Sequence, residues 1–325
     1  MAARLPFSGR LALPLIAAPM LRVSGIELVS AACREGVVGS FPTPNCRSLD
    51  ELDAWLARLG EEARRAVDEG RSTAPWCPNL IMRRDPGSLQ AEIACMLRHR
   101  TELVITSVGS PASVVPMLHD GGCRVLADVA SLRHAERALE AGVDGLVLLT
   151  AGAGGQTGWA NPFAFVRAVR GFFDGPLVLA GGLSDGASLH AAIALGCDLG
   201  YMGTRFIATR ESLAGDGYRQ MLVDSSLDDV LLTRAFTGLP ANFLRPSVQA
   251  SGLDPAGLPE HLTPEEARQR YGGGVGPHEG PRRWADVWSA GHSVSGVGGV
   301  EAVEALVSRL KREYAEARAA ANAQA

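Results

Sequence analysis

Eight short apolar runs recur along the chain, at residues 14–18, 36–41, 77–82, 103–107, 125–129, 145–149, 176–180 and 199–203, each bounded by turn-forming residues. Within the runs Val, Ile and Leu follow one another almost without polar interruption. This pattern predicts parallel strands buried on both faces. Most of the intervening stretches are alanine-rich with helical spacing. Residues 131–141 show the logic, with Leu132, Ala135 and Leu139 placed on one face and Gly142 as the stop. A strand–helix alternation that reaches eight strands predicts a closed (β/α)8 TIM barrel rather than an open doubly wound sheet.

Two stretches exceed a minimal barrel. A charged helix is expected over about residues 48–69, with Leu49, Leu52, Leu56 and Leu59 as its apolar stripe. After Arg205 comes a longer insertion, in which Thr263-Pro264-Glu265-Glu266 has the form of a capping box with proline at the first helical position. A glycine-rich run follows at residues 271–280. The expected organisation is a barrel over residues 1–210, a helical cap inserted after strand 8 over 211–280, and a segment at 281–325 that returns to the barrel. That last segment ends in a helix striped by Val303, Leu306, Val307 and Leu310.

Composition narrows the class. The 325 residues are 46% hydrophobic and 20% charged, with a formal net charge of -4, enough for one large core with an added subdomain. Basic residues do not cluster with aromatics, which argues against a nucleic-acid partner. Arg4, Arg10 and the apolar stretch 11–20 imitate a secretory signal, but Pro14 and Pro19 interrupt it, and a first strand is the better reading. No run reaches the roughly 20 apolar residues of a membrane span. The six cysteines, Cys33, Cys46, Cys77, Cys95, Cys123 and Cys197, lack CxxC or zinc-ligand spacing. They predict reduced thiols in a cytoplasmic protein and no metal site.

The candidate chemistry lies at three strand ends in the second half: AGAGGQTG at 151–158, LAGGLSDG at 179–186 and YMGTRF at 201–206. In barrels, the loops after strands 7 and 8 often bind a phosphate. Glycines let backbone N–H groups approach it, and a helix N-terminus points at it. Any one of these motifs alone reads equally well as a tight turn. Together, in this order, they predict a phosphorylated cofactor. No GxGxxG follows the first strand with an acid about 20 positions on, so a Rossmann NAD enzyme is disfavoured.

PLIAAPM at 14–20, PNL at 78–80, AGAGGQTGWANPFAFV, the long segment 179–212 and the late ADVWSAG together resemble the nitronate monooxygenases, an FMN-dependent TIM-barrel group that also includes flavin enoyl reductases and NADH:quinone reductases. The resemblance covers nearly the whole chain and is most specific over residues 143–212. It implies that Ala18 and Met20 lie along the flavin ring and that Asn79 bonds its polar edge. Asp128 would fall where some relatives place a lysine near the flavin. Gly181, Gly182, Gly203 and Thr204 would hold the FMN phosphate.

The chain departs from that pattern at Gln156, where the family motif AGGH has histidine, the expected base for the carbon next to a nitro group. A carboxamide cannot take that proton, yet it can donate an N–H bond to an anionic oxygen. The resemblance therefore implies FMN-dependent oxidation of alkyl nitronates by O2, restricted here to substrates that arrive already anionic. His292, in WSAGHSVSG, is the alternative candidate base. The other histidines, His99, His119, His134 and His190 on helices and His261 and His278 in the insertion, are expected to be structural. Two further readings share the fold: an NAD(P)H-dependent reductase of a quinone or enoyl thioester, and a flavin-binding protein without turnover. The partners expected are a small nitronate and O2, with no nucleic acid and no membrane, and a homodimer is permitted.

Overall fold

Alternation within each strand decides how the apolar runs assemble. In the computed structural model, which describes residues 5–272 and 280–323, they form β1 (Leu15–Ala17), β2 (Val38–Pro42), β3 (Trp76–Ile81), β4 (Leu103–Ser107), β5 (Arg124–Val129) and β6 (Gly145–Leu149). A two-residue strand, β7 (Gly155–Gln156), interrupts the series before β8 (Leu177–Ala180) and β9 (Leu199–Met202). The strands other than β7 pair in parallel as a closed barrel in the order β1-β2-β3-β4-β5-β6-β8-β9. Closure is made by β1 against β9, with Ile16 opposite Tyr201 and Ala17 opposite Met202. All eight expected runs are barrel strands.

Because side chains alternate along a strand, one set fills the barrel and the next meets the helices. Ile16, Val38, Cys77, Ile105, Leu126, Val147, Val178 and Leu199 belong to the inner cluster, which Leu5 and Phe7 join from ahead of β1. Leu15, Phe41, Leu80, Val104, Val125, Leu146 and Leu177 pack outward under the helices. Both sets are apolar, which is why the strands read as continuous hydrophobic runs.

The helices follow the predicted stripes except at two leucines, Leu49, which is 40% exposed, and Leu132. Helix Leu49–Asp68 starts at Ser48, whose side chain accepts from the Glu51 N–H, and buries Leu52, Leu56 and Leu59. The terminal helix Val303–Ala323 buries Val303, Leu306, Val307 and Leu310. In helix Leu132–Glu140, however, Ala135 and Ala138 face the barrel while Leu132 is 42% exposed. The small side chains let this helix lie close to the sheet, and that rotates Leu132 outward.

The segment after β9 is not helical throughout. It contains helices Asp216–Asp224 and Pro264–Tyr271 but also a hairpin, β10 (Val230–Thr233) and β11 (Ala241–Leu244). The capping box at Thr263 is present, with Thr263 and Glu266 each accepting from the other's backbone N–H. The hairpin pairs antiparallel with β7 to give a second sheet, β10-β11-β7. Gln156 lies opposite Ala241, and Gly155 opposite Asn242. The insertion is joined to the loop after β6 by this pairing, by the Thr157 N–H, which donates to the Pro240 carbonyl at 3.1 Å, and by the Asn242 side chain, whose Nδ2 donates to the Ala153 carbonyl at 2.7 Å. Most of the glycine-rich run at 271–280, and His278 within it, lies outside the described residues, as does Arg4.

All six cysteines are free and buried. Among the described residues no helix is long and apolar enough to cross a membrane.

Candidate active site

A step of two residues from the inner core reaches the functional layer. Ala18, Asn79, Asp128, Leu149, Ala180 and Tyr201 each follow a core residue of their strand by two positions, so they occupy the same inner face at its carboxyl end. All six line one cavity of about 500 Å³ at the barrel mouth, together with Met20, Gln156, Gly181, Gly182, Gly203 and Thr204. That volume is within the roughly 300–1,000 Å³ of small-molecule and cofactor sites. Nine of the ten residues singled out from the sequence thus converge on one space.

One end of the cavity is made of backbone. Gly181 and Gly182 have φ of +122° and +77°. A Cβ on Gly181 would lie 2.5 Å from the Thr150 Oγ1, whereas a Cβ on Gly182 would meet nothing within 4 Å. The turn is therefore pressed against the β6 loop on one side and open on the other. Among the described residues the N–H groups of Gly181, Gly182, Gly203 and Thr204 have no protein acceptor. Such a cradle of free amides suits an anion. The Thr204 Oγ1 accepts from the Gly291 N–H at 2.9 Å, which leaves its own proton available to the cavity.

Of the two helix starts that follow β8 and β9, only the second contributes, since Gly203 is the N-cap and Thr204 the first residue of helix Thr204–Ile207. At the start of helix Gly186–Leu195, Asp185 accepts from the Ser188 N–H and Glu313 accepts from the Gly186 N–H. Those two carboxylates already satisfy the helix start, and a phosphate placed there would meet like charge. The amides of Gly181, Gly182, Gly203 and Thr204 are what remain for an anion. The glycine cradle, the open space beside Gly182 and the cavity volume fit a flavin mononucleotide.

The floor and rim are made of side chains. Asn79 is buried and committed to β4, donating to the Ile105 carbonyl and to the Ser107 Oγ, which returns a bond to its Oδ1 at 3.2 Å. Burial pushes the Asp128 carboxyl up to about 7, and raises the Tyr201 phenol well above its ordinary value. Val108, a β-branched residue at φ +55°, and Trp284, at φ +65°, also line the cavity. Strained backbone of this kind persists only where the surroundings over-determine it. The Trp284 ring stacks on Phe243 with centroids 4.9 Å apart and covers Gly155.

Gln156 is half-buried in β7, and its carboxamide has no hydrogen-bond partner among the described residues. Three cations share the lining: Arg83, Arg268 and Arg283. Desolvation lowers the Arg283 pKa, and the nearby charge of Arg268 lowers it further. Arg268 pairs with Glu265 at 2.5 Å, and Arg283 donates to the Phe236 carbonyl. This rim attracts negative charge.

His292 is not brought into the cavity. It is exposed, its N–H donates to the Gly152 carbonyl at 2.9 Å, and its ring occupies the space where a Gly152 Cβ would be. It props the loop from behind. Among the described lining residues none is a histidine. The remaining described histidines are peripheral: His99 bonds Asp53, His119 bonds Asp144, His190 lies edge-on to Tyr314, and His134 and His261 are exposed.

Tyr201, Ser107, Arg83, Arg268, Arg283, Trp284 and Trp288 were not singled out from the sequence. Tyr201 carried a usable signal, being two positions beyond Leu199 on a strand. The arginines and tryptophans did not, because they come from the insertion and from loops whose course periodicity does not define.

Residues 48–253, more than half the chain, match the family described as nitronate monooxygenase. The chain is 28% identical over 285 residues to a nitronate monooxygenase of Paraburkholderia phytofirmans, covering 74% of this chain and 76% of that one. Two solved structures are similar over nearly the full length. FabK from Thermotoga maritima has a TM-score of 0.79 at 22% identity, covering 99% of this chain and 100% of that one. A nitroalkane oxidase from Streptomyces ansochromogenes has a TM-score of 0.75 at 25% identity, covering 97% and 99%. The barrel, its cavity and these matches together place the chain in the nitronate monooxygenase family of flavin-dependent oxidoreductases.

Proposed function

We propose that the protein binds FMN and oxidises alkyl nitronates with O2, acting on the anionic form of the substrate. The observation that carries this reading is the placement of Gln156 in the same cavity as the glycine cradle, in a lining without a described histidine. Gly181, Gly182, Gly203 and Thr204 would hold the phosphate, and Ala18 and Met20 would pack along the ring. Bound FMN supplies the electron-accepting chemistry and the reaction with O2.

The protein's own part is binding and orientation. Arg83, Arg268 and Arg283 draw an anion toward the mouth. The Gln156 N–H then donates to a nitronate oxygen and fixes the carbon over the floor. Trp284 and Trp288 restrict water. No step in this scheme removes a carbon-bound proton. The six buried free thiols support a reducing compartment, the cytoplasm.

Anaerobic titration of the purified, FMN-loaded protein tests the reading. Ethylnitronate should bleach the flavin, while nitroethane and NADH should not. Bleaching by NADH would transfer the assignment to a reductase, and equal turnover of nitroethane and ethylnitronate would remove the role given to Gln156. Gln156→His should raise nitroethane turnover by at least tenfold while leaving ethylnitronate turnover within a few-fold.

A further inference from the structure

One carboxyl in the cavity has no partner. Asp128 follows Leu126 by two positions on β5 and lines the cavity at the strand-end layer, and its Oδ1 is shielded from solvent without a hydrogen bond. On the neighbouring strands, Ser107 of β4 is engaged with Asn79, and Leu149 of β6 offers only hydrocarbon. The titratable groups that face Asp128 are Tyr201 on β9 and Cys77 on β3, each held neutral because burial raises its pKa. No cation acts on the carboxyl; desolvation alone raises it, to about 7. Burial without a compensating charge favours the neutral acid. A neutral carboxyl presents an O–H donor, and among the described residues its shielded Oδ1 has no hydrogen-bond partner. The acceptor has to come from whatever fills the cavity.

We propose that Asp128 acts as a neutral carboxylic acid that donates a hydrogen bond to an acceptor atom on the heteroaromatic ring of the bound cofactor, so that cofactor binding is linked to a proton on this residue. The proposal rests on the FMN reading above. The sign is fixed by the linkage: as pH rises through the Asp128 ionisation the donor is lost, an unpaired buried charge replaces it, and affinity falls.

The test is the dissociation constant for FMN of the full-length protein, read from flavin fluorescence between pH 6.5 and 9. The wild type should bind more weakly as pH rises above about 7, approaching tenfold per pH unit. Asp128→Asn, nearly isosteric and with an amide N–H in place of the acid, should bind FMN with no such slope. Asp128→Ser, read in the same way, should also lack it, which keeps the test decisive if one variant folds poorly. An unchanged slope in both variants would overturn the proposal, as would a wild-type affinity that strengthens with pH, the behaviour of an ionised acceptor. A folded wild type that binds no FMN at any pH would sink the FMN reading itself, and this proposal with it.

Discussion

The two ends of the cavity are built from different materials. At the cradle end the working groups are the backbone amides of Gly181, Gly182, Gly203 and Thr204, and the sequence requirement is mainly an absence of side chains. The rest of the lining includes the side chains of Asp128, Gln156, Trp284 and the arginines Arg83, Arg268 and Arg283, drawn from β5, β7, the loop after β3, the insertion and the returning C-terminal segment. Backbone amides are fixed once the strand ends are fixed, so the first end suits a group common to many reactions. The side-chain part of the lining can be altered one residue at a time. On the proposed reading, cofactor binding and reaction specificity would fall to different parts of the lining.

That contrast can be broken from either side. The largest effect is expected from Gly181→Val, which places a branched side chain at φ +122° against Thr150 and Ala153. FMN affinity should fall by on the order of 100-fold or more by fluorescence titration, with the barrel's far-UV circular dichroism retained. A valine variant with wild-type affinity would show that the cradle does not hold the cofactor. Gln156→Leu should act at the other end. FMN binding should stay within about twofold, while kcat/KM for ethylnitronate drops roughly 10- to 100-fold through loss of one donor to an anionic oxygen. Parallel losses in both quantities would mean that the two ends are not separable. The smallest effect belongs to His292→Ala, because the ring stands behind Gly152 rather than in the cavity. Activity and its pH profile should change by less than about twofold, and loss of a titrating limb would restore His292 as a base.

The barrel was legible because burial on both faces leaves a strong mark. Runs such as 145–149 and 176–180 are apolar throughout, and each is a strand in the expected place. Capping signals were equally readable, at Ser48 and at the Thr263 box, since they depend on residues three positions apart. In helix Leu132–Glu140 the expected face held at Ala135 and Leu139 but not at Leu132, which is exposed while Ala138 is buried. The insertion was expected to be helical because its clearest local signal was a helix start. The hairpin β10–β11 has little character of its own, and its pairing with β7 is a long-range contact.

By itself, then, the sequence determined the eight strands, the glycine turns at their ends and the presence of Gln156 in one of those turns, all of which follow from local pattern and residue identity. Only the tertiary structure decided that Gln156 faces the same cavity as Gly181 while His292 stands behind the loop. It likewise decided that Asp185 and Glu313 satisfy the start of helix Gly186–Leu195, leaving the start at Gly203 and Thr204 open to the cavity. The same is true of Asp128, whose identity was visible but whose isolation was not. Whether a carboxyl is paired depends on every chain segment that passes near it, and those segments are distant in sequence.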